Sequence, residues 1–573
     1  MKIYIPFLAV AVVLSGCAST NYLEENATKI DSIYAPKIVE GVVPPADAVS
    51  GLVKMKNGAI RHYNYGGQPE NCGHIYVYNV TNRMYVESLD GGFTWKEYQA
   101  PKGKEFGTFY YPPTNKYFNI IRKNGSTFFI DCDKDGNCIK EKQIAPWPFS
   151  VNEEAYIDGN RILMPVTLRT SSSEKHDFGF GALFLITDDF GETWSVSSTI
   201  KVPDHKAGGF HKGIRWNHNA MEPTIVKLND GRLWTILRTS LDNLWQAHSK
   251  DGGKTWSKPT PLPFYATCVM PKIKRLSDGK LLLMWSNASP LPENEKANGI
   301  WEDVFTNRNV NHAAISEDDG KTWRGFREVL LDPRRNAPDF ATTFGGDKSM
   351  HQSQAIEIAP NKILASIGQS KLHRKFVHFD IRWLYEKTRV CDFSNGLDDW
   401  SVFNYIKGIK GHCAYNRFAG CELVDSPEGK NKKCLELKYK PNDNLVDDIR
   451  GAVWNFPMGY KGEFSAKVKF EKGFAGAKLM LHDRWINPSD AIADKLGVFA
   501  FNLPSSLADG NVRDIKITFD TNAKATLYID GKKFAEQKFQ NKAPIGVSYV
   551  HFQSSRNPTD GGLKILSCAS KVE

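Results

Sequence analysis

Four arginines stand where runs of alternating residues end or begin. Arg122 closes Ile120-Ile121-Arg122, Arg169 closes Thr167-Leu168-Arg169, Arg238 closes Ile236-Leu237-Arg238, and Arg308 leads through Asn309 into the run before Ser316. A guanidinium is a planar fork of donors that holds a carboxylate or sulfate through paired hydrogen bonds, and several together grip an anionic sugar better than lysines do. Glu222, followed by Pro223, opens another run, and a carboxylate at the mouth of a strand is costly unless a ligand or an arginine uses it. His351 lies in Ser349-Met350-His351-Gln352-Ser353-Gln354, ahead of an apolar run, where an imidazole can act as acid or base near neutral pH. The stretch from Gly208 to Asn219 mixes glycines, aromatics and donors, and offers Trp216 and His218 as ligand contacts just before Glu222. Each group has a bland counterpart: a salt bridge between neighbouring sheets, a satisfied structural histidine, a rim loop packing its tryptophan.

What positions these groups is a repeat. The pattern Ser/Thr-x-Asp-x-Gly-x-Thr-Trp occurs at Ser88 to Trp95, Thr187 to Trp194, Ser249 to Trp256 and Ser316 to Trp323. Asp two residues before Gly, with Thr-Trp after it, is the chemistry of a tight hairpin closed by side-chain hydrogen bonds, with the Trp as an apolar plug beneath it. The first gap is wide enough for two repeats, so one copy is missing there, with the Cys132 to Cys138 loop in its place. Turn signals divide the chain at about 50, 104, 148, 210, 263 and 340, spacings that fit the roughly 40 to 50 residues of a four-stranded propeller blade. The clearest blade reads Glu222 to Leu228, Leu233 to Arg238, Leu244 to His248, then the Ser249 pattern. The next carries a long insertion over 287–311. The predicted class is therefore all-β, a six-bladed propeller over residues 46–389. The inner strands of such a ring converge on a central funnel where a ligand site forms.

These repeats are Asp boxes, and the chain resembles the sialidase superfamily, whose catalytic domain is a six-bladed propeller. The resemblance implies that Arg238 and Arg308, with Arg169 or Arg122, hold a substrate carboxylate. It also implies that Glu222 polarises a tyrosine nucleophile, sialidases being tyrosine-using exceptions to the two-carboxylate rule. The sequence departs from the family where that tyrosine should open the last blade: His351 and its neighbours stand there. The Phe-Arg-Ile-Pro motif is absent, Gly58-Ala59-Ile60-Arg61 being a poor substitute, and the acid/base aspartate has no match. Residues 390–573 change grammar and resemble a concanavalin or laminin-G jelly-roll sandwich. First and last strands lie side by side in such a domain, which would suit a bridge between Cys391 and Cys568.

Composition sets the surroundings. An apolar run from Ile3 to Val13 before Leu14-Ser15-Gly16-Cys17 is a short export segment that resembles a bacterial lipobox. By that resemblance residues 1–16 are removed, Cys17 is lipidated, residues 17–45 form a tether, and the protein is expected in the bacterial cell envelope, anchored to the outer membrane on its periplasmic or its surface side. Ten cysteines, nine of them after Cys17, allow oxidation but do not reveal pairing. The net charge of +10 is diffuse and lacks a Lys/Arg block, which argues against nucleic acid and suits an acidic glycan, or simply a soluble surface. Asp131, Asp133, Asp135 and Gly136 resemble the start of a calcium loop, but Lys142 occupies the twelfth position where a bidentate Glu belongs, so no cofactor is expected and a polar hairpin is the competing reading. Three functions fit: an exo-glycosidase acting on a sialic, uronic or sulfated sugar, a lyase eliminating next to a uronic acid, or a non-catalytic glycan-binding lipoprotein.

Overall fold

The computed structural model describes residues 21–42, 44, 52–63, 84–99, 109–111, 116–135, 137–147, 150–151, 154–169, 180–206, 215, 220–290, 308–337, 349–369, 374–405, 417–445 and 447–573. Six antiparallel sheets follow one another along the first two thirds of the chain. Blade 1 is built from Leu52–Lys54, Ile60–Tyr63, Met84–Ser88 and Lys96–Gln99, and blade 2 from Phe109–Tyr111, Lys116–Lys123, Ser126–Cys132 and Cys138–Ala145. In blade 3 the inner position is shared by Ser150–Val151 and Tyr156–Asp158, which pair with Arg161–Arg169, followed by Phe180–Thr187 and Ser195–Val196. Blade 4 runs Met221–Lys227, Leu233–Arg238, Asn243–Ser249 and Thr260–Tyr265, and blade 5 runs Lys272–Arg275, Leu281–Trp285, Val310–Ser316 and Arg324–Leu331. Blade 6 takes Gln354–Ala359, Lys362–Ile367 and Lys375–Asp380, and its outer strand, Lys37–Ile38, comes from the beginning of the chain.

That last pairing closes the ring and corrects the tether expected over 17–45. Residues 22–31 are helical, Ile30, Ile33 and Val39 are buried against blades 1 and 6, and the Val39 amide donates to the Phe376 carbonyl at 2.9 Å. Three widely spaced apolar side chains anchor a segment whose composition reads as polar. Cys17 and the export segment lie outside the described residues. Among the described residues no helix is long and apolar enough to cross a membrane.

The boxes explain how blades are held together. In each, the Asp oxygens accept from the backbone amide and hydroxyl of the Thr four residues on, as Asp189 does from Thr193 at 2.8 and 2.6 Å. The tryptophan then packs on the preceding blade: Trp95 stacks on Phe376 of blade 6 at 4.1 Å, Trp194 meets Phe129 of blade 2, Trp256 meets Phe184 of blade 3, and Trp323 meets Phe264 of blade 4. Glycine is required because the blades approach so closely: at Gly191, with φ +89°, an added Cβ would lie 2.5 Å from the Phe129 ring. Blade 2, expected to have lost its box, keeps a degenerate one. Asp133 accepts from the backbone and side-chain amides of Asn137, also four residues on, at 2.8 and 2.6 Å, so Asn does the work of Thr.

After a 3₁₀ turn, Ile381–Tyr385, the chain forms two sheets of eight and five strands that enclose one large apolar core containing Trp400, Trp454, Phe464 and Phe552. This is the predicted sandwich. Its entering strand, Thr388–Cys391, lies antiparallel on the terminal strand, Leu563–Val572, with Cys391 opposite Cys568.

Candidate functional site

In an antiparallel four-stranded blade, the start of the first strand, the end of the second and the start of the third share one rim. The turns that carry the Asp boxes lie on the other. Glu222 and Arg238 therefore belong to the rim opposite the boxes in blade 4, and the pairing of Met221 with Arg238 places them side by side. Arg308 immediately precedes the third strand of blade 5, and His351 precedes the first strand of blade 6, at the same rim.

Four of the predicted residues form one chain of contacts across three blades. Glu222 Oε2 accepts from Arg238 Nη1 at 2.7 Å. Arg238 Nε donates to the Cys268 sulfur at 3.3 Å, and the carbonyl of the same Cys268 accepts from Arg308 Nη2 at 2.5 Å. Arg308 Nη1 lies 3.1 Å from His351 Nε2, which is 2.5 Å from Gln369 Oε1. The side chains are almost wholly buried, Glu222 and Arg238 at 5%, Arg308 at 4% and His351 at 0% exposure, so none of these charges is a solvated surface group. Burial alone would lower the Arg238 pKa, but the Cys268 sulfur and the Glu222 carboxylate outweigh it and hold the guanidinium above its ordinary value. Glu222 Oε1 and Arg238 Nη2 make no hydrogen bond among the described residues, which leaves one acceptor and one charged donor uncommitted.

The backbone here is strained. Glu222, Cys268 and Gln352 have φ of 44°, 54° and 56°, in the left-handed region that non-glycine residues avoid. Each such residue costs about 1–3 kcal/mol, and such strain gathers at functional sites. The Glu222 amide is held by Thr167 Oγ1 of blade 3 at 3.0 Å and its carboxylate by Arg238 of blade 4, so two blades and a bend fix the carboxylate.

Arg122 and Arg169 end the second strands of blades 2 and 3, at the predicted level, but their side chains lie outside the described residues. Trp216 and His218 lie outside them altogether. The calcium-like loop is closed from within: Asp133 Oδ1 accepts from the Asp135 and Asn137 amides, and among the described residues no three metal-binding side chains come together.

Cys268 and Gln369 were not singled out as site residues by the sequence; they come from connections between strands, where neither periodicity nor motif marks them. Arg374 was also missed. It precedes the third strand of blade 6 as Arg308 does in blade 5, it is fully buried, and its Nη1 donates to Ser366 Oγ at 2.9 Å, beside His62. A signal was available, because Arg308 to His312 and Arg374 to His378 repeat the spacing Arg-x-x-x-His.

Residues 148–353, which hold three of the boxes and the whole contact chain up to His351, match the BNR repeat-like domain family. Over that segment the chain is similar to the BNR repeat-like family. An anhydrosialidase of Macrobdella decora is 30% identical over 151 residues, which is 25% of this chain and 17% of the relative's length. Among solved structures, a protein of unknown function from Dyadobacter fermentans is 18% identical, with a TM-score of 0.38 over 60% of this chain and 98% of its own. Trypanosoma rangeli sialidase is 13% identical, with a TM-score of 0.34 over 92% of each chain.

Proposed function

We propose that this sialidase-like propeller is a glycan-acting hydrolase, an exo-glycosidase whose pocket holds an acidic sugar. The observation that carries the reading is the convergence of two guanidiniums from adjacent blades on Cys268, one of them also bound to the Glu222 carboxylate. Arg238 and Arg308 would hold the carboxylate or sulfate, and the uncommitted Glu222 oxygen would take a proton from the attacking group. His351 stands between Arg308, which can only donate, and the Gln369 oxygen. Its Nε2 therefore has a partner whether it holds a proton or has released one, the property required of a group that exchanges protons.

The same feature favours one second reading. With a histidine beside the anion-holding arginine and no tyrosine at the start of blade 6, elimination next to a uronic acid fits the residues, Arg308 neutralising the carboxylate while His351 removes the C5 proton. Incubation of the pure protein with acidic oligosaccharides separates the readings. Hydrolysis releases a reducing sugar without ultraviolet absorbance, elimination gives an absorbing unsaturated product, and binding without turnover over a broad panel would refute both. The location belongs to the proposal as well: lipid anchoring at Cys17 predicts incorporation of a labelled fatty acid that is lost in Cys17→Ala.

A further inference from the structure

The helical segment 22–31 is fastened to the rim that carries the Asp boxes. The Tyr22 amide donates to the Asn57 carbonyl at 3.1 Å, in the turn between the first two strands of blade 1. The Asn26 side-chain amide donates to the Leu89 carbonyl at 3.1 Å, and Lys29 pairs with Asp90 at 2.8 Å, so the segment rests directly on the box of blade 1. That turn and that box share a rim, because each blade is entered from the pocket side and the chain reverses at the far side after its first and third strands. Glu222, Arg238, Arg308 and His351 lie at the other rim. Cys17 stands four residues before Asn21, a reach of at most about 14 Å at ~3.6 Å per residue. A blade strand such as Asn243–Ser249, with seven residues, spans about 23 Å at ~3.3 Å each. A lipid on Cys17 therefore keeps the box rim near the bilayer, and the link is too short to bring the pocket rim down to it.

The surface chemistry follows the same division. Among the described residues, the large apolar side chains exposed on the propeller are Tyr34, Leu89, Ile139, Trp147 and Val196. Leu89 is inside the box of blade 1, Ile139 follows Cys138 at the end of the degenerate box of blade 2, and Val196 lies two residues after Trp194 in blade 3. The Tyr34 carbonyl accepts from the amide of Asp380, which ends the third strand of blade 6, so Tyr34 is at this rim too. Trp147, beyond the last strand of blade 2, is at the pocket rim. The four box-rim residues span blades 6, 1, 2 and 3 and avoid blade 5, against which Asn455 of the sandwich packs. The exposed lysines Lys29, Lys56, Lys134 and Lys140 stand among them. At a bilayer surface a lysine lays its methylenes along the apolar layer and keeps its ammonium among the headgroups, and tyrosine divides its ring and hydroxyl in the same way. Single exposed apolar residues are ordinary on a soluble surface. Their gathering on the rim nearest Cys17 is what points to lipid.

We propose that the box rim of blades 6, 1, 2 and 3 is a bilayer-contact face, with the pocket opening away from the membrane onto glycans that stand beyond it. This rests on the lipid anchor at Cys17. The test is lysine acetylation, read by peptide mass spectrometry, on the lipidated full chain bound to phosphatidylcholine vesicles and on unanchored Cys17→Ala mixed with the same vesicles. Lys29, Lys56, Lys134 and Lys140 should react severalfold more slowly in the anchored protein. Lys201 and Lys206 should react equally in both, since they are exposed and follow Ile200, which pairs with Ala182 near the pocket-side start of its strand. The triple variant Leu89→Asp, Ile139→Asp, Val196→Asp, checked for folding, should still float with the vesicles while its box-rim lysines regain the unanchored rate. Flotation with both rims slowed alike, or with Lys201 and Lys206 slowed more, overturns the contact face and leaves the anchor standing, as does undiminished slowing in the triple variant. Failure of the wild-type chain to float or to incorporate fatty acid refutes the anchor itself, and the contact face with it.

Discussion

Glu328 sits at the end of a hydrogen-bonded relay that crosses the domain seam, and its titration offers a sharp check on that seam. The Asn287 amide donates to His312 Nδ1 at 3.0 Å, which fixes the proton on His312 Nε2. Nε2 lies 2.5 Å from the Tyr549 hydroxyl, which in turn donates to Glu328 Oε1 at 2.8 Å. Burial is the main influence on the Glu328 carboxyl and raises its pKa from 4.5 to about 7, against the opposing pull of Arg389 and Tyr549. Between those values the folded protein keeps a proton that the unfolded chain has lost, so this group's contribution to stability is fully present at low pH and disappears as pH rises through 7. At 1.36 kcal/mol per pH unit the ceiling is about 3 kcal/mol, and because the side chain is partly exposed we expect about 2 kcal/mol. Burial also lowers His312 to about 3, which gives an opposite slope at acid pH in the same relay. The comparison of wild type with Glu328→Gln cancels that term. Urea unfolding at pH 5 and pH 8, followed by tryptophan fluorescence, should show the stability advantage of wild type over Glu328→Gln shrinking by about 2 kcal/mol at the higher pH. A difference that is independent of pH would refute the protonated, half-buried carboxyl, and with it the relay.

At the pocket, Glu222→Gln and Arg238→Ala should each lower kcat/KM on the acidic substrate by about a hundredfold or more. Arg238→Ala should also lose about 3 kcal/mol in unfolding assays, because it strands the buried Glu222 carboxylate. Cys391 and Cys568 lie opposite each other across two strands, so oxidised glutathione should join them with release of two reduced glutathiones; peptide mapping should find the bridge, and Cys568→Ala should lose about 2–4 kcal/mol relative to the oxidised protein. Asp133→Ala should destabilise blade 2 by about 1–2 kcal/mol, and calcium or a chelator should leave the melting temperature of wild type unchanged. Asp189 is held down to about 2, chiefly by the Thr193 hydroxyl, so its contribution is present above pH 4 and fades as pH falls towards 2; Asp189→Asn should flatten that acid limb of the melting curve.

The features legible in the sequence are those whose interactions close within a few residues. An Asp box satisfies its own turn across eight positions, so four copies could be read directly, and the blade boundaries followed. Glu222 and Arg238 were legible for a related reason: they flank one hairpin, and the alternation of that hairpin brings them to the same rim. The box in blade 2 was obscured because only its Asp survives: Asp131, Asp135, Asn137 and Cys138 stand where the other copies have Ser/Thr, Gly, Thr and Trp, and Asn137 keeps the two hydrogen bonds of the lost Thr. Cys268, Gln369 and Arg374 enter the site through contacts between blades, which carry no period. The start of the chain was misread because its anchoring depends on Ile30, Ile33 and Val39 finding a groove between blade 1 and blade 6, the latter more than three hundred residues away. The seam between the domains is the extreme case, since neither partner's residues mark it alone.

That seam also bears on why the pocket keeps its shape. Arg308 is drawn towards Cys268 and His351 by its side chain, and its carbonyl accepts from the Met350 amide at 2.7 Å. The next residue, Asn309, donates through its side chain to the Tyr405 hydroxyl of the sandwich at 3.0 Å, and its carbonyl accepts from the Asp332 amide. Arg335, three residues further on, is buried against the sandwich backbone, with the carbonyls of Asp398 and Trp400 as acceptors. The segment that presents Arg308 is therefore gripped from both sides, by blade 6 through Met350 and His351 and by the second domain through Tyr405. A guanidinium that must meet an anion in one geometry gains from such a grip, because the ordering of a long side chain is then completed before the ligand arrives. On this reasoning the sandwich acts on the pocket even where it touches no substrate: Tyr405→Phe, which removes the hydroxyl that meets Asn309 and Arg417 and keeps the ring, should weaken binding of the acidic sugar while leaving the folding of both domains intact.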